Sequence, residues 1–214
     1  MSWETANGNE NWARLVDNTS GWMPLHFLCQ AVNRGHLLAQ GARRGGLELL
    51  GSRNEAWSCS SAAADVVRWL VRAGCELNAP IVQRLHTDAV GFAALHLLVK
   101  PHQKWTHEQL DDVLALMEAL LEHGALPDSE QPGTGRTPLS LAAAAGQYEA
   151  AELLCKFGAD PLRLDRDRQT VIERCRRGSH WPMAKMLEVA RRKYQTLQDM
   201  AKRLEIANQR ARHR

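Results

Sequence analysis

No run in this chain approaches the about 18 consecutive apolar residues that a membrane-spanning helix requires, which excludes such a span. The first seven residues, Met-Ser-Trp-Glu-Thr-Ala-Asn, have neither a basic stretch nor an apolar one after it, so no secretory signal is expected. Cysteines are few and odd in number. Cys29, Cys59, Cys75, Cys155 and Cys175 include no Cys-x-x-Cys pair, and they read as small buried thiols in a reducing compartment, the cytoplasm. Gly-x-Ser-x-Gly, His-Glu-x-x-His and paired-carboxylate patterns are all missing, and no nucleophile has a base beside it. Gly133-Thr-Gly-Arg-Thr137 has the look of a phosphate loop but lacks the Gly-Lys-Ser/Thr ending and an apolar strand before it. The expectation is a chain that is not an enzyme and carries no cofactor.

Net charge is also small, +3 over 214 residues, yet it is unevenly spread. Residues 162–214 hold 15 Lys/Arg against 6 Asp/Glu, while the remainder is net negative. Arginine outnumbers lysine 21 to 6, which favours interfaces, because guanidinium pairs well with carboxylates. With 44% hydrophobic residues the chain can supply a substantial core.

What is present is a repeat. Residues 135–161 read Gly-Arg-Thr-Pro-Leu-Ser-Leu-Ala-Ala-Ala-Ala-Gly-Gln-Tyr-Glu-Ala-Ala-Glu-Leu-Leu-Cys-Lys-Phe-Gly-Ala-Asp-Pro. Thr137-Pro138 can open a helix, since proline's fixed φ suits the first turn. Leu139–Ala145 then forms a short helix that Gly146 breaks. A second helix spans about Tyr148 to Phe157, and Gly158 stands where a helix end needs a left-handed residue. This stretch resembles an ankyrin repeat, with Ser140 in place of the usual His. The resemblance implies an all-α ankyrin-repeat solenoid of stacked helix-turn-helix units, and ordinarily a protein partner rather than chemistry.

One such unit cannot bury its own apolar face, and neighbours are found at the expected spacing. Gly124 precedes Gly158 by 34 positions, Thr170 follows Thr137 by 33, and the period is about 33. Gly91–Leu98 and Gly21–Leu28 repeat the first helix, and Val66–Cys75 and Leu116–Ala125 the second. The predicted organisation has three parts. Residues 1–20, with Trp3 and Trp12, cap the open end; residues 21–180 form four repeats, the outer two divergent. The first two repeats carry insertions at about 37–63 and 100–108, the first with a short helix at Gly46–Leu50. Residues 181–214 form a basic amphipathic helix. In the first two units His26 and His96 occupy the family's His position, where the imidazole ties neighbouring loops by hydrogen bonds.

The last helix has no Gly or Pro after Pro182. Met183, Leu187, Ala190, Tyr194, Leu197, Ala201 and Leu204 recur at steps of four and three, a heptad stripe suited to a coiled coil or a partner's groove. The stripe outruns the final repeat, which can cover only Met183, Met186, Leu187 and Ala190. The candidate binding residues are therefore Tyr194, Leu197 and Leu204, flanked by Arg191, Arg192 and Lys193, and fitted to a protein with an acidic surface. A second candidate surface combines the insertions: Arg43, Arg44, Trp57, His102, Trp105 and His107. His102 and His107 could ligate a metal only with further ligands, and none with suitable spacing appears. The function read from these features is protein binding, as an adaptor, a scaffold or a subunit of a larger assembly. An inhibitor or immunity-type protein that blocks an enzyme is the alternative. Binding of nucleic acid by the basic helix is a further alternative, weakened by Asp199 and Glu205 and by the scarcity of aromatics among the arginines.

Overall fold

In a computed structural model the protein is described over residues 24–33, 59–81, 92–100, 105, 107–132 and 134–212. Eight α-helices occupy these residues, and no strand is among them. They are α1 (Pro24–Asn33), α2 (Cys59–Arg72), α3 (Ala94–Val99), α4 (His107–Glu122), α5 (Pro138–Ala145), α6 (Tyr148–Lys156), α7 (Val171–Arg177) and α8 (Trp181–Arg212). The odd-numbered helices pack in one row, α1 on α3, α3 on α5, α5 on α7. The even-numbered helices pack in a second row, α2 on α4, α4 on α6, α6 on α8. Two rows of helices with one core between them make an all-α solenoid, as the 33-residue period predicts.

The core is built from equivalent positions. Leu25, Leu95, Leu139 and Ile172 begin the four first helices, and all four are buried. In the second helices Leu70, Leu120, Leu154 and Leu187 form one buried layer, with Val67, Met117, Ala151 and Ala184 one turn earlier. The two rows thus interlock at the same register in every unit. Ala142 and Ala143 of α5 are fully buried, and their small side chains admit the neighbouring helices.

Local sequence sets the helix ends. The Thr137 hydroxyl accepts from the Ser140 amide with Pro138 in the first turn, and Thr170 with Glu173 forms a capping box on α7. Gly74, Gly124 and Gly158 follow α2, α4 and α6, all with positive φ. In each case the next amide reaches back five residues: Cys75 to Leu70, Ala125 to Leu120 and Ala159 to Leu154. That is the Schellman ending, which needs a left-handed residue after the helix.

Side chains then lock each unit to the next. His26 Nε2 bonds the Ala79 carbonyl at 3.0 Å, and His96 Nε2 bonds the Arg136 carbonyl at 3.2 Å. The Ala93 amide donates to His96 Nδ1, so the Nε2–H of that ring is the donor to Arg136. Ser140, too short to reach out, turns back onto the Thr137 carbonyl. A second ladder joins the loops after α2, α4 and α6. Asn78 bonds the backbone of Gly124 and Leu126, and the Asp128 carboxylate accepts the Asp160 amide.

One expectation changes. The second helix of the first unit begins at Cys59 rather than near Ala64, because Ala62, Ala63 and Ala64 are strong helix formers that carry it toward the N-terminus. Leu153 is only half-buried: it lies on the outer side of α6, while Leu154 faces the core. The cap at residues 1–20, the helix at Gly46–Leu50 and most of both insertions lie outside the described residues.

Candidate functional site

Helix α8 differs from the other second helices in one decisive position. Counting from the buried leucine layer, Arg191 stands where Gly74, Gly124 and Gly158 stand in the earlier units. An arginine is costly in the left-handed conformation and favourable inside a helix, so the turn is not made and the helix runs on to Arg212. At 1.5 Å per residue, its 32 residues extend about 48 Å. Only Met183, Ala184 and Leu187 of α8 are buried, and every residue from Gln195 to Arg212 is exposed.

The overrun makes a groove. Its volume is 1020 Å³, and it lies between α8 on one side and the outer faces of α4 and α6 on the other. Leu114 and Ala115 of α4, Leu153 and Cys155 of α6, and Met186, Val189, Ala190, Tyr194 and Leu197 of α8 give it apolar walls. The solenoid wall also carries Asp111, Glu118, Glu149 and Glu152, against Lys156 and Lys193. Lys156 is already paired with Glu118 at 2.9 Å, so the wall stays net negative. The apolar side of α8 does not stop at the groove. Leu197 and Leu204, each 65% exposed, are on the same side of the helix as Ala190 and Tyr194, with Met200, 55% exposed, at the edge of the stripe.

Of the predicted residues, the structure brings Tyr194, Leu197 and Lys193 together in the groove and leaves Leu204 on its open continuation. Burial raises the Tyr194 phenol above its ordinary value, and the Asp160 carboxylate beside it acts in the same direction. Arg191 lies at the foot of the free segment, 3.1 Å from Glu188, which also binds Arg176 of α7 at 2.8 Å. Arg192 is exposed. The second predicted surface fares differently. Trp105 is half-buried and packs against the core, and His107 is exposed at the start of α4. Arg43, Arg44, Trp57 and His102 lie outside the described residues.

The acidic wall was missed in the sequence, although a signal existed. Asp111, Ala115 and Glu118, like Glu149, Glu152 and Lys156, recur at helical steps of three and four, which places each set on one face. That both faces look toward α8 is a property of the stack.

The buried reactive groups of the solenoid do structural work. Burial lowers both His26 and His96 to about 4, opposed by their bonds to backbone carbonyls, so both imidazoles are neutral at neutral pH. Burial likewise pushes the Cys155 thiol up to about 12 and raises Cys29, Cys75 and Cys175. Burial also works against the charged form of Asp165, but the Gln169 amide and the Arg174 guanidinium outweigh it and hold that carboxyl below its usual range. Among the described residues no group of three His, Cys, Asp or Glu could hold a metal ion, and no helix is long and apolar enough to cross a membrane.

The comparisons with known proteins agree with the stack. Residues 64–188 match the family model described as ankyrin repeats (3 copies). The human ARF GTPase-activating protein GIT2 is 41% identical over 68 residues, which are 32% of this chain and 9% of that protein. Human ARF GTPase-activating protein GIT1 is 43% identical over 68 residues, with the same shares. The match therefore spans about a tenth of the length of these relatives. With more than half its length matched by the family model, and with its helices stacked in two rows at the family's period, this chain belongs to the ankyrin-repeat family.

Proposed function

We propose that this chain is a non-catalytic protein-binding subunit, an adaptor or scaffold in a larger assembly, and that α8 carries its principal binding surface. Ankyrin repeats are protein–protein interaction modules, and that much follows from the family. The observation that carries the finer reading is the exposed apolar side of α8, continuous with a groove whose other wall is the solenoid. An apolar stripe of this kind is uncommon on an isolated soluble surface and marks a place where something docks. The outward flanks of the helix, Arg192, Lys202, Arg203 and Arg210, favour an acidic protein surface. The four thiols whose ionisation burial opposes, and the two neutral histidines engaged with backbone, support a reading without chemistry and a place in the reducing cytoplasm.

The test is affinity purification of the tagged chain from its native source, with cross-linking mass spectrometry. The expected result is a stoichiometric protein complex with cross-links from Lys193 or Lys202. A single enzyme whose activity falls on binding would replace the adaptor reading with an inhibitor. Nucleic acid released steeply by salt would overturn the protein reading. Cross-links confined to other surfaces would remove α8 from the interface.

A further inference from the structure

The distal part of α8 has a side-chain pattern that fits one partner in particular, namely itself. Placing Tyr194, Ala201 and Asn208 at heptad position a puts Ala190, Leu197 and Leu204 at d. The flanking e positions are then Arg191, Gln198 and Glu205, and the g positions Lys193, Met200 and Ala207. A parallel, in-register pair would match g with the following e of the other helix. Those matches are Lys193 with Gln198, Met200 with Glu205 and Ala207 with Arg212, none of them an ion pair.

An antiparallel pair sorts these residues far better. With Leu197 facing Ala201 of a second copy, Tyr194 faces Leu204, so each layer joins a large side chain to a smaller or different one. The e positions then set Arg191 against Glu205 twice, once on each side of the two-fold axis, with Gln198 against Gln198 at its centre. The g positions set Met200 against Met200, which accounts for an exposed methionine beside the stripe. Arg191 is suited to a second carboxylate, because it shares Glu188 with Arg176, two guanidiniums to one acid.

The same arrangement also fills the groove. Antiparallel pairing carries residues beyond Leu204 of the second copy back along α8 toward Ala190, the segment that walls the groove. Those residues include Arg210 and Arg212, and the opposite wall presents Asp111, Glu149 and Glu152. The tip of the helix is therefore complementary in charge to the groove of its own kind, which by symmetry is served in return. From Ala190 to Asn208 the pairing covers 19 residues, about 28 Å of helix at 1.5 Å each.

We infer that two copies of this chain associate about a two-fold axis through antiparallel pairing of α8, with Leu197 and Ala201 at the centre and Arg191 bound to Glu205 of the other copy. This goes beyond protein binding in general, and it leaves Arg192, Lys202 and Arg203 on the outer flanks free for the acidic partner proposed above. The two can be told apart, since self-association is measured on the purified chain with no other protein present.

Sedimentation velocity and equilibrium on the full chain test it, from about 1 to 100 μM, the range in which a pairing of this size is expected to form. The wild type should pass from monomer to dimer. Leu197→Asp with Leu204→Asp should leave a monomer whose melting temperature at the lowest concentration equals that of wild type. Glu205→Arg alone sets arginine against Arg191 and should weaken the dimer at least about tenfold, and Arg191→Glu alone should do likewise. Together the two reversals should recover the dimer to within about threefold of wild type, an outcome that only an Arg191–Glu205 pairing across the interface gives. A chain that stays monomeric at the highest concentration overturns the inference. So does a dimer indifferent to the two aspartates, or a double reversal no better than the worse single change.

Discussion

Helices α6 and α8 are the same element of successive repeats, and they meet opposite fates. Both carry the buried leucine of the second-helix layer, Leu154 and Leu187, and both rest on the helix of the preceding unit. Four residues after that leucine α6 has Gly158 at φ 89°, and the chain turns away into the next loop. Four residues after its leucine α8 has Arg191, and the helix continues for about six more turns, to Arg212. A solenoid ends where its repeat stops specifying a turn. What lies past that point is not needed to bury the repeat's own apolar face, and it is available for binding.

The comparison predicts its largest contrast within the leucines. Leu154→Ala removes a fully buried side chain from the layer between the rows and should cost about 2–5 kcal/mol. Leu204→Ala removes a side chain that is 65% exposed and should not lower the stability of the monomer measurably. Leu153→Ala should fall between them, because that side chain is only half-buried at the groove. Urea denaturation of the three variants at low protein concentration ranks them. A Leu204 variant as unstable as the Leu154 variant would mean that the far end of α8 belongs to the fold.

This contrast shows how far the sequence could be read. The repeat was legible because each unit spells out its local needs: Thr137-Pro138 for a helix start, Gly158 for a stop, small residues where helices cross. The stripe on α8 was legible because a heptad survives without tertiary information, and the point where burial ends, near Ala190, follows from the length of an ordinary second helix. The groove was not legible. It depends on Glu149 and Glu152 of one repeat facing the same way as Asp111 of another, and on α8 leaning over both. Separation in sequence hides such a set, and only the rise and rotation of the stack bring it together. The start of α2 was misplaced because an alanine run at the edge of a repeat is compatible with a loop or a helix until packing decides.

A smaller effect separates the first two repeats, which carry the family's histidine, from the third, which has Ser140 in its place. His26 and His96 are held near 4 in the fold, first by burial, and lie at the ordinary value of 6.5 when exposed in the unfolded chain. For a base with a lowered folded value, the contribution is complete above 6.5. It is then lost as pH falls from 6.5 toward 4, because the unfolded chain binds protons that the fold refuses. At 1.36 kcal/mol per pH unit the loss is at most roughly 3 kcal/mol for each histidine. Melting temperatures measured between those limits should fall for wild type and fall less steeply for His96→Gln. The third unit, with Ser140 bonded to Thr137 inside its own helix turn, has no counterpart to this titration. A His96→Gln variant with an unchanged slope would show that carboxylates, not the inter-repeat histidines, govern the acid limb.

The smallest effects come from exchanging the two endings themselves. Gly158→Ala keeps open space around the added Cβ, since no atom lies within 4 Å of it, so its cost is conformational alone. A left-handed alanine should cost about 1–2 kcal/mol, seen as a lower melting temperature with the fold retained. Arg191→Gly is the reverse exchange and gives α8 the stop signal of its predecessors. Glycine inside a helix costs about 1 kcal/mol, and here the cost falls where the solenoid's support ends. Among the described residues the distal helix can set against it only the groove contacts of Lys193, Tyr194 and Leu197, and an isolated helix is marginal in water. Circular dichroism of the monomer should therefore show a loss of helical signal corresponding to the residues after 191, while the midpoint of the main unfolding transition stays in place. Arg191 also holds Glu188, so Arg191→Ala is the necessary companion: it removes the same ion pair yet favours the helix, and it should keep the helical signal. If Arg191→Gly keeps the signal too, the missing glycine does not explain why α8 runs on, and the length of the helix must come from its own sequence beyond Lys193.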